Sequence, residues 1–302
     1  MVKVLATDGM DKATAAKLRG LGCELTEQFF EPSELAGQIK GYDAVVVRSA
    51  TKVGEPILDA ALETGRLKII IRGGVGTDNI DVAYAQDNGI EVRNTPNASS
   101  AAVAELALAH LFALARHLHE ANVTMREGKW EKKDYQGVEL AGKTLGLIGF
   151  GRIGESMADK AKALGMNVVY YDIIGPTPAG AGFEFVGLDD LLARADFISL
   201  HVPKSDKPMI TAAEIAKMKD GAFLVNCARG GLIDEDDMLA ALDSGKLAGV
   251  GLDVYPEEPP RNEKVLKHPK ISLTPHIGAS TSEAQSRIGE EIVEILSEKF
   301  GL

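Results

Sequence analysis

The sequence predicts an α/β protein made of two doubly wound domains, each with a parallel sheet, and a cleft between the domains. Three observations lead to this prediction. Strand and helix patterns alternate over residues 1–93, a complete strand–turn–helix–strand unit spans residues 144–172, and the alternation resumes over residues 183–297. A chain of 302 residues is also long enough for two domains.

The first domain is predicted from short apolar runs that alternate with stretches of helical periodicity. The strand-like runs are Val2–Thr7, Cys23–Phe29, Ala44–Arg48, Leu67–Arg72 and Ile90–Arg93. The helix-like stretches are Lys12–Leu21, Glu34–Ile39, Glu55–Leu62 and Asp81–Asp87. Strict alternation of this kind favours parallel strands with helices on both faces of the sheet. The first strand leads into Asp8-Gly9-Met10 instead of a repeated-glycine turn, so this domain need not bind a nucleotide.

A long alanine-rich stretch, Asn97–Glu127, follows and is predicted to be mostly helical. Its broad apolar surface suits a crossover between domains or a contact between subunits. The next segment, residues 125–143, is polar and contains Trp130, the single tryptophan. It is interpreted either as a solvated loop or as an arm that packs on a second subunit.

The central unit begins with the apolar run Leu145–Ile148, which ends in the turn Gly149-Phe150-Gly151-Arg152-Ile153-Gly154. A helical pattern follows and stops at Gly165, a typical residue at the end of a helix. A second apolar run, Val168–Tyr171, then leads into Asp172. Strand, glycine-rich turn, helix, strand and acid in this order form the Rossmann-like unit that binds a dinucleotide.

Each residue type in this unit has a physical reason. Gly149 permits the tight turn, Gly151 lets the backbone approach a pyrophosphate, and Gly154 lets the helix pack closely on the strand. The free N–H groups near Arg152 and Ile153 favour negative charge. Asp172, about 20 residues after the turn, can bond the ribose hydroxyls and would repel a 2′-phosphate, which predicts NAD as the cofactor and not NADP.

Beyond this unit the alternation continues to the end of the chain. Strands are predicted at Phe183–Val186, Phe197–Val202, Phe223–Asn226, Gly249–Val254 and Ile271–Thr274. Helices are predicted at Leu188–Arg194, Ala212–Met218, Glu235–Leu242 and Glu283–Ser297. We expect the last helix to complete the first sheet, so that residues 1–96 with 282–302 form a substrate-binding domain and residues 97–281 form an NAD-binding domain.

Three predicted strand ends in the second domain carry an arginine, an acid and a histidine: Arg229, Glu258 and His276. The carboxyl ends of parallel strands meet at one edge of a sheet, beside the expected dinucleotide. A histidine can take the proton of a hydroxyl group, a carboxylate beside it stabilises the imidazolium, and a guanidinium can hold a substrate carboxylate in a two-point fork. The set suits hydride transfer between an alcohol and a carbonyl. Each residue alone would also fit a solvated loop.

Composition excludes several other classes of function. The net charge of −11 argues against binding to nucleic acid or anionic membranes, and it requires a local basic cluster for an anionic substrate. No apolar run approaches the roughly 20 residues that span a bilayer, and the N-terminus resembles a first strand, not a signal peptide. Two cysteines, Cys23 and Cys227, without metal-binding spacing, predict a cytoplasmic protein with no metal site.

Five segments resemble the D-2-hydroxyacid dehydrogenase family, and the resemblance covers essentially the whole chain. They are Val47–Val53, Gly128–Gly154, Asn226–Glu235, Leu252–Pro260 and Thr274–Arg287. Within the family, the chain is most similar to the branch that oxidises 3-phospho-D-glycerate in serine biosynthesis. Longer members of that branch carry a C-terminal domain that binds serine. We expect no such regulation here because the chain ends at Leu302.

The resemblance implies roles for individual residues. It implies a catalytic set of Arg229, Glu258 and His276, with His276 as acid/base. It implies NAD contacts at Val75, Gly149, Gly151, Arg152, Ile153, Gly154, Asp172, Val202, Cys227, Ala228, Arg229, Asp253, His276, Gly278 and Ala279. It implies substrate contacts at Arg48, Ser49, Arg72, Gly73, Gly74, Arg229 and His276. Relatives often carry threonine where this chain has Val75 and Val202, so side-chain hydrogen bonds there are lost.

The resemblance implies an NAD-dependent oxidation of 3-phospho-D-glycerate to 3-phosphooxypyruvate, and we expect a homodimer. The alternative within the family is another small 2-hydroxy acid, such as glycerate, glyoxylate or lactate. An alternative from another class is an NAD(H)-sensing binding protein similar to transcriptional co-repressors of the same fold. Arg229, Glu258 and His276 together favour an enzyme.

Overall fold

The computed structural model describes residues 1–302, which form two compact units. The first unit contains Met1–Ser99 and Ala279–Leu302, and the second contains Ser100–Gly278. Each unit has one sheet, of five strands in the first and seven in the second, and every strand pair is parallel. The predicted α/β fold with two parallel sheets is therefore confirmed.

The first unit has the strand order β2-β1-β3-β4-β5. Its strands are β1 (Lys3–Ala6), β2 (Glu24–Glu27), β3 (Ala44–Val47), β4 (Ile69–Arg72) and β5 (Glu91–Asn94). Its helices are α1 (Lys12–Gly20), α2 (Pro32–Gln38), α3 (Glu55–Leu62), α4 (Val82–Asp87) and, from the end of the chain, α12 (Ser282–Phe300). The register pairs Val47 with Arg72, so the chain leaves β3 and β4 side by side at one edge of the sheet.

Both faces of the first sheet are buried. On one face, Ile288, Ile292 and Leu296 of α12 pack with strand side chains such as Val46 and Ile71. The other face packs against α2 and α3. α12 also lies close to α1, since a side chain at Gly289 would place its Cβ 1.7 Å from Thr14 Oγ1. Burial on both faces explains why the three inner strands, β1, β3 and β4, are short and mostly apolar, whereas the edge strands β2 and β5 are more polar.

The second unit has the strand order β12-β11-β10-β9-β6-β7-β8. Its strands are β6 (Thr144–Ile148), β7 (Asn167–Tyr171), β8 (Glu184–Phe185), β9 (Phe197–Leu200), β10 (Ala222–Asn226), β11 (Leu247–Leu252) and β12 (Ile271–Leu273). Its helices are α5 (Ser100–Ala115), α6 (Leu118–Arg126), α7 (Arg152–Ala163), α8 (Leu188–Arg194), α9 (Ala212–Lys217), α10 (Glu235–Ser244) and α11 (Glu263–Lys267). The strand order reverses between β6 and β9, which is where ligands bind in open α/β sheets.

Helix α5 packs on one face of this sheet, together with α7. It approaches β11 at two glycines: a Cβ at Gly249 would lie 2.9 Å from Leu114, and one at Gly251 would lie 2.8 Å from the Cβ of His110. The two glycines therefore leave room for α5 to pack closely on β11. The side chain of His110, on the buried side of α5, occupies the space beside Gly251.

The structure corrects several predicted boundaries. The stretch Asn97–Glu127 is two helices, α5 and α6, which meet at a 65° bend where His117 adopts φ 52°. The strand predicted at Phe183–Val186 is only the two residues of β8, and α11 was not predicted. Leu164 follows α7 and is 39% exposed, because the helix ends at Ala163 and Gly165 turns the chain with φ 80°.

None of the helices has by itself the length and apolar composition that crossing a bilayer requires. The bent pair α5 and α6 meets those two criteria jointly. Within the second unit, however, α5 is a core helix whose buried residues include Leu108, Leu111 and Leu114.

Candidate active site

The glycine-rich turn lies between β6 and α7, at the point where the strand order reverses. Gly149 has φ 91°, and a Cβ there would lie 2.4 Å from the carbonyl oxygen of His201, which follows β9. A Cβ at Gly154 would lie 2.5 Å from the oxygen of Gly149. Both glycines are therefore required by packing, as their positions in the motif predict.

Gly151 differs from the other two glycines because open space surrounds its Cβ position. It caps the N-terminus of α7, whose first N–H groups, including those of Arg152 and Ile153, have no intrahelical acceptor. Open space beside free N–H groups at a helix N-terminus is what a pyrophosphate requires. The turn therefore fits the dinucleotide predicted for it.

Asp172 follows β7 and reaches back to the turn. One carboxylate oxygen accepts a hydrogen bond from the N–H of Phe150 at 2.7 Å, and the other accepts one from Ile174 at 3.1 Å. Sequence analysis predicted only a bond to ribose hydroxyls. Since each carboxylate oxygen has further lone pairs, the acid can fix the turn and still accept from a ribose.

The loop after β10 carries Cys227, Ala228 and Arg229 and is held by Asn226. The side-chain oxygen of Asn226 accepts from the N–H of Ala228 at 3.0 Å, and its nitrogen donates to the oxygen of Arg229 at 2.8 Å. Gly230 lies directly against the next strand end, since a Cβ there would be 1.8 Å from the oxygen of Tyr255. Cys227 is buried, and its burial raises the pKa of the thiol, which keeps it protonated and inert.

His276 and Glu258 form a direct pair. Nδ1 of His276 lies 2.7 Å from Oε2 of Glu258, and the two side chains are 34% and 35% exposed. Burial alone would raise the pKa of Glu258, but the hydrogen bond and charge of His276, a backbone N–H and the charge of Arg229 together lower it. The carboxylate is thus ionised, and an imidazolium beside it would be stabilised.

Asp253 lies behind this pair, almost fully buried at the end of β11. Oδ1 accepts from the hydroxyl of Thr274 at 2.6 Å and from the N–H of Ile277 at 2.8 Å, and Oδ2 accepts from the N–H of Gly278 at 2.9 Å. Sequence analysis predicted Asp253 only as an NAD contact. In the structure it also anchors the segment that follows His276.

Sequence analysis missed Thr274 and His110 as neighbours of the site. His110 is 2% exposed and bonds Ser272 and Thr274 on β12 and the loop after it. Two features of the sequence could have indicated His110. It is the single histidine on the apolar side of its helix, and Gly249 and Gly251 alternate along the strand that the helix packs on.

Of the remaining predicted NAD contacts in the second unit, Val202 follows β9 and is half-buried, and Gly278 packs on Val103. The other two lie in the first unit: Val75 follows β4, and Ala279 precedes α12. The oxygen of Val75 accepts from the side chain of Asn94, and that of Ala279 accepts from Gln285 at 2.7 Å.

The predicted substrate residues of the first unit follow β3 and β4. Arg48 and Arg72 leave adjacent strands, because the register pairs Val47 with Arg72. A Cβ at Gly73 would lie 3.7 Å from Cγ of Arg48, and one at Gly74 would overlap the Arg72 guanidinium. The nearby Ser49 is exposed. Both arginines therefore lie at one edge of the first sheet, where Nη1 of Arg72 donates to the oxygen of Gly73 at 3.3 Å.

Two residues that the sequence did not single out hold the loop of Arg48 and Ser49. The carboxylate of Asp8 accepts from the N–H groups of Arg48 and Thr51, at 2.6 and 3.2 Å. The side-chain nitrogen of Asn79 donates to the carbonyl oxygens of the same two residues, at 2.7 and 2.6 Å. The backbone of this loop is thereby fixed from both sides.

The fold and this set of residues define a dinucleotide-dependent oxidoreductase. Residues 108–278, more than half of the chain, match the family model described as "D-isomer specific 2-hydroxyacid dehydrogenase, NAD binding domain". The chain belongs to the D-isomer-specific 2-hydroxyacid dehydrogenases and uses NAD. The activity of this class is oxidation of a D-2-hydroxy acid, or the reverse reduction of a 2-keto acid.

Two relatives and one solved structure illustrate the similarity. A hydroxypyruvate reductase of Thermotoga maritima is 48% identical, with 99% of each chain covered. A D-3-phosphoglycerate dehydrogenase of Methanocaldococcus jannaschii is 44% identical over 97% of this chain, which spans 56% of that relative. The crystal structure of a D-lactate dehydrogenase from Aquifex aeolicus, complexed with NAD and lactic acid, has a TM-score of 0.85 and 30% identity, covering 97% of this chain and 94% of that chain.

Proposed function

We propose that this chain oxidises 3-phospho-D-glycerate to 3-phosphooxypyruvate with NAD, the first reaction of serine biosynthesis, and that His276 is the acid/base. The observation that carries the proposal is the 2.7 Å contact between Nδ1 of His276 and Glu258. A carboxylate accepts hydrogen bonds only, so Nδ1 donates and Nε2 is the basic nitrogen.

The chemistry follows from that tautomer. Nε2 of His276 accepts the proton of the substrate hydroxyl, and the resulting imidazolium faces the carboxylate of Glu258. Arg229 holds the substrate carboxylate in a fork and orients the reacting carbon. Bound NAD would supply the acceptor for the hydride that leaves this carbon.

We assign the NAD contacts to residues of the glycine-rich turn and the strand ends. They are Gly149, Gly151, Arg152, Ile153, Gly154, Asp172, Val202, Cys227, Ala228, Arg229, Asp253, His276 and Gly278, with Val75 and Ala279 of the first unit. The open space beside Gly151 and the N–H groups that begin α7 support this assignment.

The choice of a phosphorylated substrate rests on Arg48 and Arg72. In a chain of net charge −11, two arginines at the ends of adjacent strands supply local positive charge. Guanidinium groups bind phosphate through paired hydrogen bonds, so they suit the phosphate of this substrate. We propose Ser49, Gly73 and Gly74 as further substrate contacts from the same two loops.

A second candidate is the pair glycerate and hydroxypyruvate. It is favoured by the Thermotoga maritima relative, which is named a hydroxypyruvate reductase and matches this chain over its whole length. The same His276, Glu258 and Arg229 would serve, because the reacting carbon and its carboxylate are the same in both substrates.

A comparison of substrates with and without phosphate tests the proposal. Turnover with NAD is followed at the nicotinamide absorbance for 3-phosphoglycerate, glycerate, glycolate and lactate. We expect Arg48→Ala/Arg72→Ala to lower kcat/KM for 3-phosphoglycerate by about 100-fold or more, because each of the two charge-assisted contacts is worth about 1.5–3 kcal/mol. Glycerate turnover should change far less. The control Arg93→Ala removes a partly exposed arginine of the same unit.

Two results would contradict the proposal. Higher kcat/KM for glycerate or lactate than for 3-phosphoglycerate in the unchanged protein would transfer the assignment to the second candidate. Equal losses on both substrates in the double variant would remove Arg48 and Arg72 from phosphate binding.

We also propose that the protein is a homodimer. On α6 and the arm that follows it, Leu118, Val123, Met125 and Trp130 are each more than half exposed. A second copy of this chain would bury these side chains, which a monomer leaves in water.

A further inference from the structure

A continuous chain of hydrogen bonds runs from β12 through α5 to the end of β11. Oγ of Ser272 lies 2.9 Å from Nδ1 of His110, and Nε2 of His110 lies 3.0 Å from Oγ1 of Thr274. Oγ1 of Thr274 lies 2.6 Å from Oδ1 of Asp253. Ser272, His110 and Asp253 are each less than 9% exposed, so water does not compete for these bonds.

The donor and the acceptor of each of these hydrogen bonds follow from the carboxylate of Asp253 at the end of the series. The carboxylate of Asp253 can only accept, so the single hydroxyl proton of Thr274 points to it. Thr274 must then accept from Nε2–H of His110, which leaves Nδ1 to accept from the hydroxyl of Ser272. Burial lowers the pKa of His110 to about 4, so the ring is neutral. The hydrogen bonds, and not the pKa, select the Nε2–H tautomer.

Asp253, at the other end of this series of hydrogen bonds, binds the backbone next to His276. Asp253 accepts from the N–H groups of Ile277 and Gly278, the two residues that follow His276. His276 itself has φ 52°, the left-handed region that residues other than glycine rarely adopt. Such a conformation persists only where the surroundings impose it, and the bonds to Asp253 fix the two residues that follow.

We propose that His110 is a positioning residue for the dehydrogenase reaction: through Thr274 and Asp253 it holds the backbone after His276 so that the imidazole stays on Glu258. The proposal rests on the role of His276 given above. The site for His110 is built into the fold, because Gly251 is the residue on β11 that leaves room for its side chain.

These hydrogen bonds affect the protonation of Asp253. Burial raises the pKa of Asp253, and the hydrogen bonds from Thr274, Ile277 and Gly278 and the charge of His276 oppose that rise. Removal of the Thr274 bond would favour protonated Asp253, which has fewer acceptor sites for the two N–H groups. The other titratable groups that face Asp253 are Cys227 and Tyr255, whose pKa values are raised, and neither is charged at neutral pH.

The test compares two replacements of His110 that keep different bonds. His110→Gln carries an amide N–H near the position of Nε2 and can donate to Thr274, whereas His110→Asn reaches only the position of Nδ1. We expect His110→Asn to lower kcat about tenfold, because a loosened loop misorients the imidazole. The acidic limb of the kcat/KM profile should move to lower pH, because an imidazole that leaves Glu258 loses the negative charge that stabilises its protonated form. His110→Gln should restore both.

Three further variants separate positioning from stability. Leu111→Ala removes a buried neighbour on α5 and should lower the melting temperature without moving the acidic limb. Thr274→Val should reproduce the effects of His110→Asn, and it serves as the test if His110→Asn does not fold. The double variant His110→Asn/Thr274→Val should be no worse than either single variant.

An acidic limb that stays in place in both His110→Asn and Thr274→Val would overturn the inference, as would a shift of the same size in Leu111→Ala. His276→Ala is measured in parallel. If that variant keeps its turnover, the proposed role of His276 fails. If it is inactive while the His110 series leaves the profile unchanged, only the inference about His110 fails.

Discussion

At the scale of single residues, the candidate chemistry depends on the pair of His276 and Glu258. Their side chains remain about one-third exposed, which leaves Nε2 of the imidazole accessible to a substrate while Nδ1 is held by the carboxylate. Arg229 follows the neighbouring strand, and its charge contributes to keeping Glu258 ionised. Three residues from three strand ends thus act as one electrostatic unit.

Replacement of these residues should have separable effects. His276→Ala should lower kcat by about 10²–10⁴-fold while NAD still binds, because only proton transfer is lost. Glu258→Gln should move the acidic limb of the pH–rate profile to lower pH. The loss of a nearby negative charge disfavours the imidazolium, so the base stays neutral in more acidic solution.

Initial rates of hydroxy-acid oxidation between pH 5 and 9, with NAD binding measured by fluorescence, check both variants. A profile of Glu258→Gln that coincides with that of the unchanged protein would mean that Glu258 is not the partner of His276 in solution.

At the scale of elements, two glycines at the start of α7, Gly151 and Gly154, have different surroundings. Gly154 is pressed against the backbone of Gly149, whereas the Cβ position of Gly151 is open. A methyl group at the first site would disturb the packing of helix on strand. At the second site it would occupy only the space predicted for the pyrophosphate.

Alanine substitutions at these two positions should therefore give opposite results. Gly154→Ala should lower the free energy of unfolding by about 1–3 kcal/mol because the new Cβ overlaps the Gly149 carbonyl. Gly151→Ala should change stability by less than about 1 kcal/mol but weaken NAD binding about tenfold or more. Urea unfolding and NAD titration of each variant check this. Unimpaired NAD binding in Gly151→Ala would exclude the pyrophosphate from this turn.

At the scale of the whole molecule, the exposed apolar side chains of α6 and the arm after it concern assembly. Val123 and Met125 are 56% and 53% exposed on a helix with no buried residue. α5, just before it, is mostly buried in its own unit. The proposed contact with a second copy therefore concerns α6 and the arm more than the alanine-rich helix that the sequence indicated.

Light scattering checks the assembly directly. The unchanged protein should have the mass of a dimer, twice 32.1 kDa. Val123→Glu/Met125→Glu should have the mass of a monomer, because burial of two unpaired carboxylates in an interface is costly. Phe29→Glu, which places one charge on an exposed aromatic site of the first unit, serves as the control and should stay dimeric. A monomeric unchanged protein would refute the proposal.

Local patterns in the sequence were sufficient for the fold class and for much of the site. The turn Gly149–Gly154, its helix and Asp172 could be predicted because their requirements are local: a tight turn, a close helix contact and an acid after the next strand. Arg229, Glu258 and His276 could be predicted to lie near one another because parallel strands end at a common edge. The bend at His117 could not, since an apolar helical pattern continues through it.

The tertiary structure alone decided how these residues are held. His110 and Thr274 lie 164 positions apart, and Asp8 lies 40 positions before the arginine whose N–H it binds. Nothing in the sequence near either residue indicates its partner. A buried polar group must find a hydrogen-bond partner, and packing of helix on strand determines which residue supplies it. The sequence by itself therefore determined the fold class and the glycine-rich turn, and the packing of α5 on β11 decided that His110 bonds Thr274.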